Sequence, residues 1–232
     1  MEYLFADCRW SLDDPEWGRR EYVAGHIPGA VFLDVERELS AAPGAAGRHP
    51  LPSTDDFARA AGRAGIGKGV FVVAYGSLGG AERLWWLLRH YGHDDCAVID
   101  LAAWRGPLST GEEQAPAAIF EPREREGDTI ERDELAERLH ELVVVDARLP
   151  ARFRGEPNPI DRVPGRIPGA VNAPWNEEPP ELPDGELVFY CGSGITACAP
   201  LHRLHLQGRS GRLYPGSWSE WEQREELPRE RG

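Results

Sequence analysis

The chain has 232 residues, 41 % of them apolar and 28 % charged, and a formal net charge of -13. This composition fits a globular protein long enough for one large domain or two small ones. Acidity with no local Lys/Arg-rich segment argues against a nucleic-acid partner, and no apolar run is long enough to span a bilayer.

Taken in chain order, Leu4 to Asp7 reads as a strand, and Asp34 follows another short apolar stretch. Thr54 is placed to cap a helix running to Arg63, closed by Gly65 and Gly67. Val70 to Ala74 is a buried type of strand, Gly79 to Tyr91 a helix with one broad apolar face, and Ala97 to Asp100 a strand. Residues 107–129 are rich in Pro, Glu, Gly and Ala and read as a linker. Beyond it, Asp133 opens a helix to His140, Val143 to Asp146 is a strand, and Leu187 to Tyr190 is another. Thr196 to Leu206 reads as a helix and Leu213-Tyr214 as a short strand. Alternation of this kind predicts an α/β fold, with parallel sheets covered by helices.

The chain repeats itself. Gly25-His26-Ile27-Pro28-Gly29-Ala30-Val31 returns as Gly165-Arg166-Ile167-Pro168-Gly169-Ala170-Val171. Asp7-Cys8-Arg9 matches Asp146-Ala147-Arg148, Phe71 to Gly76 matches Glu186 to Cys191, and Trp104 matches Trp218. Four landmarks in one order imply two copies of a domain. The period is too long for a solenoid. The copies are expected at 1–106 and 130–232, joined by the 107–129 linker.

The chemistry centres on Tyr190-Cys191-Gly192-Ser193-Gly194-Ile195-Thr196-Ala197. A strand runs into a thiol, then a Gly-rich loop, then a helix, which is where ligands bind in open α/β sheets. Loop amides turned inward and the helix N-terminus beyond favour a thiolate, the reactive form. The alternative, a buried packing cysteine, does not need Gly on both sides of Ser193. Thiol phosphatases place an Arg after five residues to grip phosphate, and here that position is Ala197. The other cysteines are Cys8, Cys96 and Cys198. With no basic and apolar leader at the N-terminus, the four read as reduced thiols in a cytoplasmic setting. Paired histidines at 90/93 and 202/205 lack a third ligand, so no metal is expected.

The paired G-[HR]-I-P-G-A motifs, the cysteine loop and the Gly216-x-Trp218-x-x-Trp221 ending together resemble a tandem rhodanese-type sulfurtransferase, of the thiosulfate and 3-mercaptopyruvate sulfurtransferase family. The resemblance covers almost the whole chain. It implies two rhodanese-like domains, each a small five-stranded parallel sheet flanked by helices, of which only the C-terminal copy is catalytic. Gly76 stands where Cys191 stands in the second copy, so the first copy is expected to be silent and to wall one side of the cleft.

The implied reaction is sulfur transfer through a Cys191 persulfide, from a small anionic donor to cyanide, a thiol or a protein thiol, with no cofactor. Gly192, Ser193, Gly194, Ile195 and Thr196 form the cradle. By resemblance Ser193 works with His49 and Asp34 on 3-mercaptopyruvate, although a surface His beside prolines and an Asp ending a strand are the plain alternatives. Arg152 matches the family's first carboxylate-binding Arg, and a second falls near Arg162, where Asp161 competes for the position. Neutral residues after Cys191 favour mercaptopyruvate, while a short stretch from Asn172 to Gly185 keeps thiosulfate open as donor. A sulfur-carrier or protein-binding module with little small-molecule turnover is the alternative function. The sequence assigns neither an oligomeric state nor a physiological acceptor.

Overall fold

A computed structural model of the chain describes residues 2–232 and divides into two compact units. The first comprises residues up to 41 together with 51–125, and the second comprises 42–50 and 126–232. Among the described residues no helix is long and apolar enough to cross a membrane.

The first unit contains β1 (Glu2–Cys8), α1 (Trp17–Ala24), β2 (Val31–Phe32), α2 (Thr54–Arg63), β3 (Val70–Gly76), α3 (Gly80–His90) and β4 (Cys96–Val98). Its sheet has the order β2-β1-β3-β4, all parallel. The cap of α2 is Ser53, not Thr54: the Asp56 amide donates to Ser53 Oγ at 3.1 Å. Ser53 has the extended backbone that an N-cap needs, and Thr54 is already helical.

The second unit contains α4 (Arg132–Glu137), β5 (Val143–Asp146), α5 (Pro150–Phe153), β6 (Val171–Asn172), β7 (Leu187–Tyr190), α6 (Cys198–Leu206), β8 (Arg212–Leu213) and α7 (Ser217–Trp221). Its sheet has the matching order β6-β5-β7-β8, again all parallel. Every residue of β7 is buried, as expected of a central parallel strand covered on both faces. Trp218 and Trp221 are fully buried in the core with Tyr190 and Val188.

Each sheet thus has four strands among the described residues, where the resemblance implies five. In the second unit the fifth place is reduced to one parallel bridge, Thr129 with Leu213. Gly127, two residues earlier, has a left-handed backbone, so no extended run leads into that bridge.

The repeated motifs are one hydrogen-bonded device used twice. Asp7 pairs in register with Tyr75, and Asp146 with Tyr190. In each unit the tyrosine hydroxyl accepts the amide of the motif isoleucine: Ile27 N to Tyr75 at 3.2 Å and Ile167 N to Tyr190 at 3.1 Å. Arg9 bonds Asp7 and donates to the Gly25 carbonyl, while Arg148 bonds Asp146 and donates to that of Gly165. The buried charges are therefore paired and hydrogen-bonded, the condition under which burial of ions is tolerated. Burial beside Asp146 pushes the Tyr190 pKa well up, so its hydroxyl remains the donor to that carboxylate, at 2.6 Å.

Arg166 occupies the place of His26 and takes up equivalent contacts. Each residue forms an antiparallel bridge with the segment that follows its sheet: His26 with Ser109, and Arg166 with Glu230. The His26 ring meets Glu113, and the Arg166 guanidinium meets Glu230 while lying over the Phe153 ring. Both sit on an aromatic ring, since His26 stacks on Tyr22 at 4.2 Å between ring centroids.

Residues 107–125, within the expected linker, are ordered along the first unit. Gly111, Ala118 and Arg123 amides donate to the Val23, Gly62 and Tyr91 carbonyls at 2.8–2.9 Å. These carbonyls lie in or at the ends of α1, α2 and α3, where helix acceptors need outside partners.

Candidate active site

Cys191 follows β7 directly and is buried. Its amide donates to Ser217 Oγ at 3.1 Å, and its carbonyl accepts the Trp218 amide at 3.0 Å. The Ser219 amide holds the Gly192 carbonyl at 2.9 Å. The start of α7 thus clamps the backbone on which the thiol sits. The Gly194 amide turns back and donates to Cys191 Sγ at 3.1 Å.

That turn depends on glycine. Gly194 has φ of +84°, and a Cβ there would lie 2.4 Å from the Pro215 carbonyl oxygen. Ile195 and Thr196 continue the loop, and their carbonyls accept the amides of Cys198 and Ala199. The helix α6 therefore begins at Cys198, two residues later than the sequence predicts, because the loop needs those residues to close. Cys198 Sγ donates to the Gly194 carbonyl at 3.4 Å, which gives it a structural role behind the loop.

The other two thiols are in the first unit. Burial pushes the Cys8 thiol well up and the Cys96 thiol up to about 12. Both are thereby kept in the unreactive protonated form at neutral pH.

Ser193 and His49 meet. His49 Nδ1 lies 2.7 Å from Ser193 Oγ, and both side chains are buried. His49 reaches the loop because residues 42–50 pack with the second unit. The Arg48 amide donates to Ser219 Oγ at 2.9 Å, and Gln223 donates to the Gly44 carbonyl at 3.2 Å. Asp34 belongs to the first unit. Its carboxylate accepts the amides of Glu36 and Arg37 at 2.9 and 3.0 Å and faces the Arg37 guanidinium.

Arg152 lies beside Gly192, 2.6 Å from where a Cβ would be. Its Nε donates to Asp161 at 2.9 Å, and Nη2 bonds the other oxygen of the same carboxylate. Burial opposes charge on Asp161, but the Arg152 fork, Arg148 and the Asn158 amide outweigh it and hold its pKa below the usual carboxylate range. Arg162 is exposed, and its neighbour Asp161 takes the inward position. The second guanidinium at Gly192 is Arg48, whose Nη2 is 3.1 Å from the same point. Sequence reasoning missed Arg48, although it directly precedes His49. It also missed Ser217 and Ser219, which lie inside the quoted ending motif.

In the first unit the equivalent position is Gly76, in register with Cys8 as Cys191 follows the Asp146–Tyr190 pair. A Cβ at Gly76 would lie 2.7 Å from the Cys8 carbonyl oxygen. Ser77 Oγ bonds the Trp10 backbone at both its amide and its carbonyl, which closes the loop over that point.

Two repeats of one parallel-sheet unit, the second with a buried thiol at its strand end held by a Gly-rich loop, define a class: the chain belongs to the rhodanese-like family. The model described as "Rhodanese-like domain" matches residues 2–104 and again 131–224. The chain is similar to a Pseudomonas aeruginosa protein named "Probable 3-mercaptopyruvate sulfurtransferase", 40 % identical over 253 residues, 95 % of this chain and 89 % of that one. It is 35 % identical over 245 residues to a Mycobacterium tuberculosis protein named "Putative thiosulfate sulfurtransferase SseB", covering 93 % of this chain and 86 % of that one. The crystal structure of SseA from Escherichia coli, titled for 3-mercaptopyruvate sulfotransferases, matches with TM-score 0.79 and 30 % identity, over 94 % of this chain and 93 % of that one. These relatives put the chain among the sulfurtransferases of the family.

Proposed function

We propose that this protein moves a sulfane sulfur from 3-mercaptopyruvate through a persulfide on Cys191 to a thiophilic acceptor, cyanide or a thiol. The observation that carries the reading is the Ser193–His49 hydrogen bond of 2.7 Å within the loop that holds Cys191. A thiosulfate site has no proton to manage, whereas a departing pyruvate carbanion does.

The steps balance as follows. The Cys191 thiolate attacks the thiol sulfur of the donor, and an S–S bond forms. The donor C–S bond breaks, and its electron pair passes to the carbon, giving the enolate of pyruvate. Ser193, relayed by His49, supplies or polarises through a proton as that enolate collects charge. The acceptor then attacks the outer sulfur of the persulfide, and Cys191 leaves as thiolate. The result is ping-pong kinetics. The Gly194 amide supports the charge on the loop sulfur as an oxyanion donor would.

Gly76 in place of a nucleophile supports a catalytically silent first copy. The part of Asp34 in this set rests on the resemblance alone; one oxygen of its carboxylate accepts the Glu36 and Arg37 amides within the first unit. A working thiol suits a reducing compartment, and the cytoplasm is the proposed location. Thiosulfate is the second donor reading, favoured by one observation: two guanidinium groups face Gly192, and they suit any small dianion.

Intact mass after incubation with each donor tests the proposal, followed by thiocyanate formation on adding cyanide. One sulfur atom is expected on Cys191 from mercaptopyruvate, and none on Cys191→Ser. Absence of any gain from either donor would overturn the enzymatic reading.

A further inference from the structure

The segment that carries His49 is held from one short helix. Residues 44–47 close on themselves: the Gly44 amide donates to the Gly47 carbonyl at 2.9 Å, and the Gly47 amide to that of Gly44 at 3.1 Å. Gly47 is buried with φ of +105°, and a Cβ there would lie 2.7 Å from the Gly216 carbonyl oxygen and 2.9 Å from Ser219 Oγ. Glycine therefore lets this turn come close to α7. Two side chains, one from α7 and one just beyond it, take up the polar groups on either side of the turn. Ser219 Oγ accepts the Arg48 amide at 2.9 Å and donates to the Gly216 carbonyl at 3.1 Å. Gln223 Nε2 donates to the Gly44 carbonyl at 3.2 Å and to the Ser219 carbonyl at 2.7 Å. The next residue after Arg48 is His49, whose Nδ1 lies 2.7 Å from Ser193 Oγ. Ser219 also holds the cysteine loop, because its own amide donates to the Gly192 carbonyl at 2.9 Å. One residue thus grips both sides of the Ser193–His49 contact, the loop with its main chain and the histidine segment with its side chain.

We propose that Ser219 is a positioning residue, which with Gln223 seats residues 44–49 on α7 and so sets the His49 ring against Ser193. It acts through His49 and not on the donor. Proton transfer needs its heavy atoms within about 2.6–3.2 Å, and a displacement of about 1 Å is enough to cost a site most of its rate. The histidine segment and the cysteine loop come from different repeats, so no short-range contact along the chain keeps them in step. Ser219 supplies that link, since a shift of α7 carries the Gly192 carbonyl and the Arg48 amide together. Its two roles are separable: Ser219→Ala loses the hydroxyl that holds Arg48 but keeps the amide that holds Gly192. This assignment rests on the reading of Ser193 and His49 as the proton-handling pair of the mercaptopyruvate reaction.

The test reads the His49 ring directly, by nuclear magnetic resonance of the full-length protein carrying nitrogen-15 histidine. The His49 signal is identified by its loss in His49→Gln, and Ser193→Ala shows where it falls when the bond is absent. Ser219→Ala should move the Nδ1 resonance toward the Ser193→Ala position. A resonance that stays at the position of the unmodified protein would overturn the proposal, whether or not sulfur is transferred. Gln223→Ala, at an exposed position, should move it in the same direction and serves if Ser219→Ala does not fold. Kinetics give a second readout. Ser219→Ala should lower kcat with mercaptopyruvate by up to about tenfold, the scale of one lost hydrogen bond, and leave KM nearly unchanged. Placed in the His49→Gln background, Ser219→Ala should cost almost nothing more, because the two residues act as one unit. An equal loss in both backgrounds would show that Ser219 serves the loop alone and would overturn the assignment. A moved resonance in a protein that takes sulfur from neither donor would uphold the seating of His49 and sink the sulfur-transfer reading.

Discussion

His49 Nδ1 and Ser193 Oγ lie 2.7 Å apart although 144 positions separate them in the chain. Proton handling by this pair is needed only where a carbon leaves from sulfur. Ser193→Ala and His49→Gln should each lower kcat with mercaptopyruvate by about a hundredfold, the usual scale of acid–base assistance. Thiosulfate, which expels sulfite and needs no proton, should lose far less. Equal losses with both donors, measured as thiocyanate release, would show that the pair merely shapes the loop.

Gly192 and Gly194 are separable. At Gly192 the obstructing atoms are the ends of flexible arginines, so Gly192→Ala should fold and raise the donor KM by displacing Arg152. At Gly194 the obstruction is the Pro215 carbonyl, and the backbone is left-handed. Gly194→Ala should cost at least about 1–2 kcal/mol of stability and lose the amide that faces Cys191 Sγ. Thermal melts beside steady-state kinetics distinguish the two outcomes. A normal melting temperature for Gly194→Ala would contradict the account.

Asp161 couples binding to acid stability. Its folded pKa is lowered, so its contribution is present above the unfolded value, about 3.9, and is lost as pH falls through the folded value. Stability of the unmodified protein should therefore decline roughly from pH 5 downward, and that of Asp161→Asn should decline less over the same range. The same variant frees Arg152 from its fork and should raise the donor KM. Urea melts across acid pH would expose a failure, seen as two parallel curves.

The first unit should resist conversion into a second site. Gly76→Cys must fit a Cβ 2.7 Å from the Cys8 carbonyl and 3.0 Å from the Ala81 amide. Combined with Cys191→Ser, it should gain no sulfur from either donor and should melt below the parent. A persulfide at position 76, found by peptide mass, would refute this.

Much of the molecule was legible in one dimension. The strand at Leu187 to Tyr190 and the cysteine loop are local patterns, and a local pattern needs no tertiary information. The repeat was legible because both copies use the same Asp–Arg–Tyr hydrogen bonds, and those require the same residue types in the same order. Helix edges were less so: α4 stops at Glu137 instead of His140, and the cap of α2 moved by one residue. Ends depend on which backbone groups find partners, and propensity does not state that.

By itself the sequence determined the two repeats, the one strand-end cysteine between them and a Gly-rich loop with Ala197 where a phosphatase has its arginine, since each follows from residue identity at a fixed short spacing. Tertiary structure decided the company that cysteine keeps. Residues 42–50 come from the first repeat yet pack with the second unit, carrying Arg48 beside Arg152 and His49 onto Ser193. Asp161 turned inward while Arg162 turned out. Those outcomes hang on hydrogen bonds such as Arg48 N to Ser219 Oγ, whose partners lie far apart in the chain, so spacing carries no trace of them.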